Sequence, residues 1–380
     1  MPPRLWARQL AGAALAVALA ACGGSPTNGE GNGGDVSTAS LLRGADVSAL
    51  ERIEQAGGVF KDGGQAGDAI AILHNRGANA FRLRVFVNPN GQEVQVNDLP
   101  YTVRMAVRIK AAGARLLLDL HYSDTWADPS KQTIPTAWAA LSYDSLVKVV
   151  ESYTDSVVTT LKQAGALPDV VQLGNEIEAG ILWPQGQLVF SGPDTSASWD
   201  RFAGLLKAGI RGVRDALGPN DAVRILLHYS QAGNAGGTQW FFDHLLARGV
   251  DFDLVGLSYY PWWQGSLGQL ITNLRATAAR YGKGIVVVEA SYPWRAGGWE
   301  SMATDRTAMT WAVSPQGQAQ FLHDLQQAVA STPGGLGAGV IWWYPEAIQV
   351  PGLFVWGGGS LAMFDDGGTV LAAASEFQAR

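Results

Sequence analysis

A single cysteine stands among the 380 residues, so no internal disulfide can staple this chain and its fold must stand on packing. Basic charge is also scarce. Lys and Arg total 27 against 33 Asp and Glu, a net charge of −6, and no clustered basic face marks a nucleic-acid partner. No apolar run reaches the ~20 residues that a membrane-spanning helix requires. No Gly-x-Gly-x-x-Gly turn follows a strand, which argues against dinucleotide binding, and no cofactor is expected. Against these shortages stand 14 Trp and 47 Gly. Indole is rarely buried whole, and its flat apolar face with one polar edge suits a platform for sugar rings as well as a core.

The first residues read as a targeting segment. Arg4 and Arg8 give a positive start, and Leu10 through Leu19 form an apolar, Ala-rich run. That pattern predicts a signal peptide over 1–21. It ends in Leu19-Ala20-Ala21-Cys22-Gly23, which resembles the bacterial lipobox, so Cys22 is the expected lipidation site. Residues 22–40 hold almost no large apolar side chains and are expected to form a flexible linker. The folded domain is expected over 41–380. The lipid is then the only membrane contact, and the protein lies outside the cytoplasm on the cell envelope. Gly23 in place of an Asp after Cys22 favours the outer membrane. A monomer is expected.

From Leu41 onward, eight short apolar runs alternate with helical stretches. The runs cover 41–48, 80–86, 114–123, 169–176, 223–230, 253–261, 284–292 and 337–345. Near-continuous apolar runs fit parallel strands buried on both faces. Helical spacing occupies 67–76, 103–112, 144–164, 199–217, 267–281 and 316–330, several closing at a glycine such as Gly77, Gly113 or Gly165. Eight such repeats predict a single (β/α)8 TIM barrel, with an open doubly wound sheet as the second choice.

Active sites of such barrels lie at the C-terminal ends of the strands. Here those ends carry Asp46, Arg84, Asp119 with His121, Asn175 with Glu176, His228, Tyr259 with Tyr260, Glu289 and Trp343. Glu176 and Glu289 leave the fourth and seventh strands, which lie nearly opposite each other. A carboxylate at the end of an apolar strand costs several kcal/mol unless it is paired, protonated or used. Glycoside hydrolysis uses two such groups, one to protonate the leaving oxygen and one to attack or stabilise the anomeric carbon.

The motifs become specific in Gly44-Ala45-Asp46-Val47-Ser48, in Arg82-Leu83-Arg84-Val85 and in the run from Leu118 to Pro129, LDLHYSDTWADP. They continue in Gln172-Leu173-Gly174-Asn175-Glu176-Ile177, in Gly256 to Trp263 and in Val288-Glu289-Ala290-Ser291-Tyr292. From about residue 43 to the C-terminus the chain resembles glycoside hydrolase family 53, the arabinogalactan endo-β-1,4-galactanases. The resemblance implies that Glu176 is the general acid/base, Glu289 the nucleophile of a retaining mechanism, and galactan or arabinogalactan the substrate. It implies that Asn175 binds the sugar 2-hydroxyl, and that Arg84 with Tyr259 or Tyr260 keeps Glu289 ionised. Asp46 and Asp119 would join substrate binding, and His121, Asp128 and His228 would shape a polar floor. Trp343 would lie under the sugar, with Trp126, Trp183, Trp262 and Trp263 further along. Some family members bind calcium in the loop matching 294–313, where this chain offers only Glu300 and Asp305. The pattern departs at the eighth strand, where Trp343-Tyr344-Pro345-Glu346 displaces the expected glutamate. A hydrolase of another β-glycan and a non-catalytic glycan-capture lipoprotein remain as alternatives.

Overall fold

The computed structural model describes residues 41–378. Cys22, the signal segment 1–21 and the linker 22–40 lie outside the described residues. Each apolar run forms a parallel strand: β1 (Leu42–Asp46), β2 (Ala80–Val85), β3 (Arg115–Leu120), β4 (Val170–Leu173), β5 (Arg224–Tyr229), β6 (Leu254–Tyr259), β7 (Gly284–Ala290) and β8 (Gly337–Trp343). Strands adjacent in sequence pair side by side, and β8 closes on β1. The closed (β/α)8 barrel expected from the sequence is therefore present.

Alternation along each strand explains why the runs are apolar throughout. Leu42, Ala80, Leu117, Val170, Leu226, Leu254, Val286 and Ile341 form an inner cluster that fills the barrel. Their neighbours of opposite parity, such as Phe81, Leu83, Val171, Leu227 and Val340, join a larger cluster beneath the helices. Both faces are buried, so neither tolerates an uncompensated polar group. The strands approach so closely that a Cβ on Gly44 would sit 1.6 Å from the Ala80 carbonyl oxygen.

The helices are α1 (Leu50–Gln55), α2 (Ala69–Asn75), α3 (Leu99–Ala111), α4 (Tyr143–Gln163), α5 (Thr195–Asp215), α6 (Ala235–Leu246), α7 (Pro261–Gln264), α8 (Leu267–Tyr281) and α9 (Pro315–Ala330). Side chains of Asp68, Asp98, Ser142, Asn234, Ser266 and Ser314 cap first turns, satisfying backbone N–H groups that have no partner within the helix. Gly113, at φ 78°, turns the chain from α3 into β3. Sequence spacing did not anticipate α1, α6 or the short α7. Helix α6 opens Ala235-Gly236-Gly237, and its buried Phe241, Phe242 and Leu245 override the poor helix propensity of the two glycines. Among the described residues no helix is long and apolar enough to cross a membrane.

Candidate active site

The C-terminal strand ends surround a cleft of about 400 Å³ lined by Trp126, Asp128, Asn175, Glu176, Tyr260, Trp263, Glu289, Trp343, Phe354 and Trp356, among others. Glu176 and Glu289 reach this one cleft from β4 and β7. Neither arrives by plain alternation. Val286 and Val288 both face the barrel interior, so Glu289 would point outward in a regular strand. The pairing of β6 with β7 runs Leu257 to Val287 and then Ser258 to Glu289. Val288 is thus an extra residue, and this bulge turns Glu289 inward. After β4 ends at Leu173, Glu176 adopts a left-handed backbone (φ 48°, ψ 63°). Non-glycine residues rarely hold that conformation, and such strain concentrates at functional sites.

Beneath the cleft, fully buried Arg82 organises the carboxylates. Its Nη1 donates to Glu289 Oε1 at 2.9 Å and to Asp46 Oδ2 at 3.0 Å. Nη2 donates to Asp119 Oδ2 at 2.8 Å and to Asn175 Oδ1 at 2.9 Å. One cation thus stands among three carboxylates and offsets part of the cost of burying them. Tyr260 donates its hydroxyl to the other Glu289 oxygen at 3.1 Å.

Glu176 has different company. The His228 Nδ1 accepts the Glu176 backbone N–H at 3.3 Å, so the imidazole proton resides on Nε2, 2.8 Å from Ser258 Oγ. Ser258 in turn donates to Glu176 Oε1 at 2.7 Å. Burial, followed by the Arg82 charge, holds His228 well below its ordinary value, in keeping with this neutral tautomer. With Oε1 accepting from Ser258, Oε2 is left to carry the Glu176 proton.

Electrostatics separates the two glutamates. Burial first, then the charges of Glu289 and Glu178, push the Glu176 carboxyl well above the usual range. Burial pushes Glu289 up to about 7, opposed by Arg82. The pair therefore loses its first proton from Glu289 while Glu176 keeps its own. An acid and a base stand ready at neighbouring positions.

Several expected residues occupy other places. Arg84 does not touch Glu289. Its guanidinium lies 4.2 Å from the Trp126 ring centroid, its Nη2 reaches the Tyr344 hydroxyl at 3.3 Å, and its Nη1 lies 3.9 Å from Asp46. Arg82, two residues earlier on the same inward face, has the role expected of it. Tyr260 rather than Tyr259 meets Glu289. Tyr259 has the outward parity, stacks on Phe321 and donates to the Gly265 carbonyl at 3.2 Å. Asp46, Asp119, His121 and His228 are sealed below the cleft. They serve the groups above them: His121 Nε2 lies 3.0 Å from Asp119 and its Nδ1 accepts the Ala127 N–H. Asp128 stays at the rim, accepting from Ser130 N at 2.8 Å. Asn175 lines the cleft, donating to the Ala127 carbonyl at 2.9 Å. Trp343 and Trp126 form adjoining walls, their centroids 6.2 Å apart, whereas Trp262 is core and Trp183 donates to the Ala179 carbonyl. Sequence reasoning passed over Arg82, Gln172, Ser258 and Glu178. Parity would have found the first three, since Arg82 follows inward Ala80, Gln172 follows Val170 and Ser258 shares the parity of Leu254.

Glu346 does not enter the cleft. Buried, it accepts the Ala49 N–H at 2.9 Å, and burial pushes it up to about 8. The loop 294–313 does not fit a calcium ion. Glu300 accepts the Gly297 N–H, Asp305 accepts from Thr307, and Arg295 binds the Gly358 carbonyl and Asp366. No group of three His, Cys, Asp or Glu side chains is placed to hold a metal among the described residues.

Comparison with known proteins agrees with this architecture. The chain is 42% identical over 352 residues to a protein of Niallia circulans described as an uncharacterized protein in the bgaB 5′ region, covering 90% of this chain and 94% of that one. It is 38% identical over 328 residues to the probable arabinogalactan endo-β-1,4-galactanase A of Aspergillus terreus, covering 84% and 89%. The family 53 catalytic domain from Ignisphaera aggregans superposes with a TM-score of 0.81 at 35% identity, covering 89% of this chain and 95% of that one. The family described as Glycosyl hydrolase family 53 matches residues 42–377, and this chain belongs to it.

Proposed function

We propose that this protein cleaves β-1,4-galactan and type I arabinogalactan internally, with retention, releasing galacto-oligosaccharides. The observation that carries the mechanism is the unlike environment of two carboxyls in one cleft. Glu289, backed by Arg82 and Tyr260, attacks the anomeric carbon as the glycosidic bond breaks. Glu176 passes its Oε2 proton to the leaving oxygen. A galactosyl ester to Glu289 results. Water then gives its proton to the ionised Glu176, attacks the same carbon and releases Glu289. Asn175, fixed by Arg82, is suited to the sugar 2-hydroxyl, and Trp343 to the ring's apolar face. The substrate rests on family membership and on the name of the Aspergillus relative.

Purified Glu176→Gln and Glu289→Ala variants on lupin or potato galactan provide the test. Near-wild-type hydrolysis by either would end this reading. A proton NMR time course of the first product anomer tests retention. We also propose that Cys22 carries a lipid anchoring the monomer to the envelope, probed by detergent partition of Cys22→Ser in the native host.

A further inference from the structure

Outside the cleft, α5, α6 and the segment before α5 meet at an aromatic patch. Phe190 is 57% exposed and Trp240 43%, and their ring centroids lie 6.1 Å apart. Single exposed rings are ordinary, but two in contact form an apolar platform. Beneath it, Trp240 packs edge-on against buried Trp199, which stacks on His244 at 4.7 Å. The platform adjoins an open hollow of about 680 Å³ whose lining includes Ser196, Asp243, His244 and Arg248. The His244 Nδ1 donates to the Trp240 carbonyl at 2.7 Å, which leaves Nε2 as an acceptor at the hollow.

We propose that this patch is a second glycan-binding site, taking a neutral galactan chain with two sugar faces on Phe190 and Trp240 and hydroxyls on the polar lining. The chemistry selects the occupant. Pyranose rings carry an apolar C–H face and an equatorial belt of hydroxyls, and the patch pairs bare rings with donors and acceptors. A stable protein partner requires about 800 Å² on each side, far more than two rings supply. A membrane surface favours Lys and Arg around the apolar face. Here Arg248 is held by Asp200 at 2.8 Å and Asp243 by Arg280, so the charges are internally balanced and a neutral ligand fits. Continuity adds to this. Phe190 lies on the same β4–α5 segment that carries Glu176, beyond a hairpin of Gly180–Ile181 with Gly186–Gln187. A polymer held at Phe190 is thus tethered beside the segment that carries the proton donor. The identity of the polymer as galactan rests on the proposed function.

The test is affinity electrophoresis through gels containing galactan, mannan or β-glucan. Glu289→Ala is compared with the same chain carrying Phe190→Ala and Trp240→Ala, so that the cleft contributes equally to both. The platform variant is expected to bind galactan roughly ten-fold more weakly. With Glu289 restored, it keeps wild-type kcat/KM on a short galacto-oligosaccharide and loses activity on the polymer. Phe190→Ala alone, on the loop, gives the readout if the double change unfolds the helix contact. Equal retention of both proteins in every gel overturns the proposal, as does a change in oligomeric mass without a change in retention. Loss of retention only in mannan or β-glucan gels keeps the platform and rejects galactan as its ligand. An active-site failure is separate, because it abolishes hydrolysis while leaving the platform-dependent retention in place.

Discussion

The Tyr260 hydroxyl offers a quantitative handle on the nucleophile. It donates to Glu289 Oε2 at 3.1 Å, and the carboxyl it touches is pushed up to about 7 by burial, against the pull of Arg82. A donor aimed at the charged form favours that form. A hydrogen bond to a charged group contributes about 1.5–3 kcal/mol, and one pH unit corresponds to about 1.36 kcal/mol. Tyr260→Phe should therefore raise the Glu289 pKa by about one to two units. The sign follows from the role. Glu289 attacks only when ionised, so its titration sets the acid limb of activity, and activity rises with pH through that limb. In the variant the limb moves to higher pH, and near pH 6 the activity drops by roughly ten-fold or more relative to wild type. The assay is kcat/KM on a soluble galacto-oligosaccharide across about pH 5 to 9, because this ratio reports the free enzyme. A uniform loss at every pH, with the acid limb unmoved, would show that Tyr260 only fills space. A limb moved to lower pH would overturn the electrostatic account.

Three further outcomes follow from neighbouring groups. Glu178, whose carboxylate accepts the Ser230 N–H at 3.2 Å, raises the Glu176 pKa after burial and Glu289. Glu178→Gln should move the alkaline limb of the same profile to lower pH, and an unmoved alkaline limb counts against it. Glu346 sits near pKa 8 in the fold. Below its ordinary value it is protonated whether folded or not, whereas at pH 7 only the unfolded chain ionises it, which costs about 3 kcal/mol of stability. Glu346→Gln mimics the protonated form and should raise the urea midpoint at pH 7 while leaving it unchanged near pH 4. A midpoint lowered at pH 7, by an amount that shrinks toward pH 4, would mean an ionised Glu346 held by the Arg84 charge. Arg82→Leu strands Asp46, Asp119 and Glu289 without their cation and should cost about 3–5 kcal/mol. A urea midpoint within error of wild type would contradict the network.

Much of this molecule is written locally. An eight-fold alternation of apolar runs and helices specifies the closed barrel, because a parallel strand covered on both faces needs apolar side chains at both parities. Glu176 and Glu289 stand out in the sequence for the same reason, since a carboxylate is anomalous where everything nearby is apolar. What a run of letters does not contain is the partner of each charge. Arg82 and Arg84 share one face of β2, and only the height of each within the barrel decides which meets Glu289. Tyr259 and Tyr260 are adjacent, and strand parity sends one to the helices and the other to the cleft. The inward turn of Glu289 depends on a bulge between β6 and β7, a mismatch of two strands that neither strand encodes alone. The relay from His228 through Ser258 to Glu176 joins β5, β6 and the loop after β4. Local chemistry thus determined the strands and named the two carboxyls. The closed barrel decided which one is cradled by a cation and which keeps its proton, because charges interact through space and the low-dielectric interior magnifies every such neighbour.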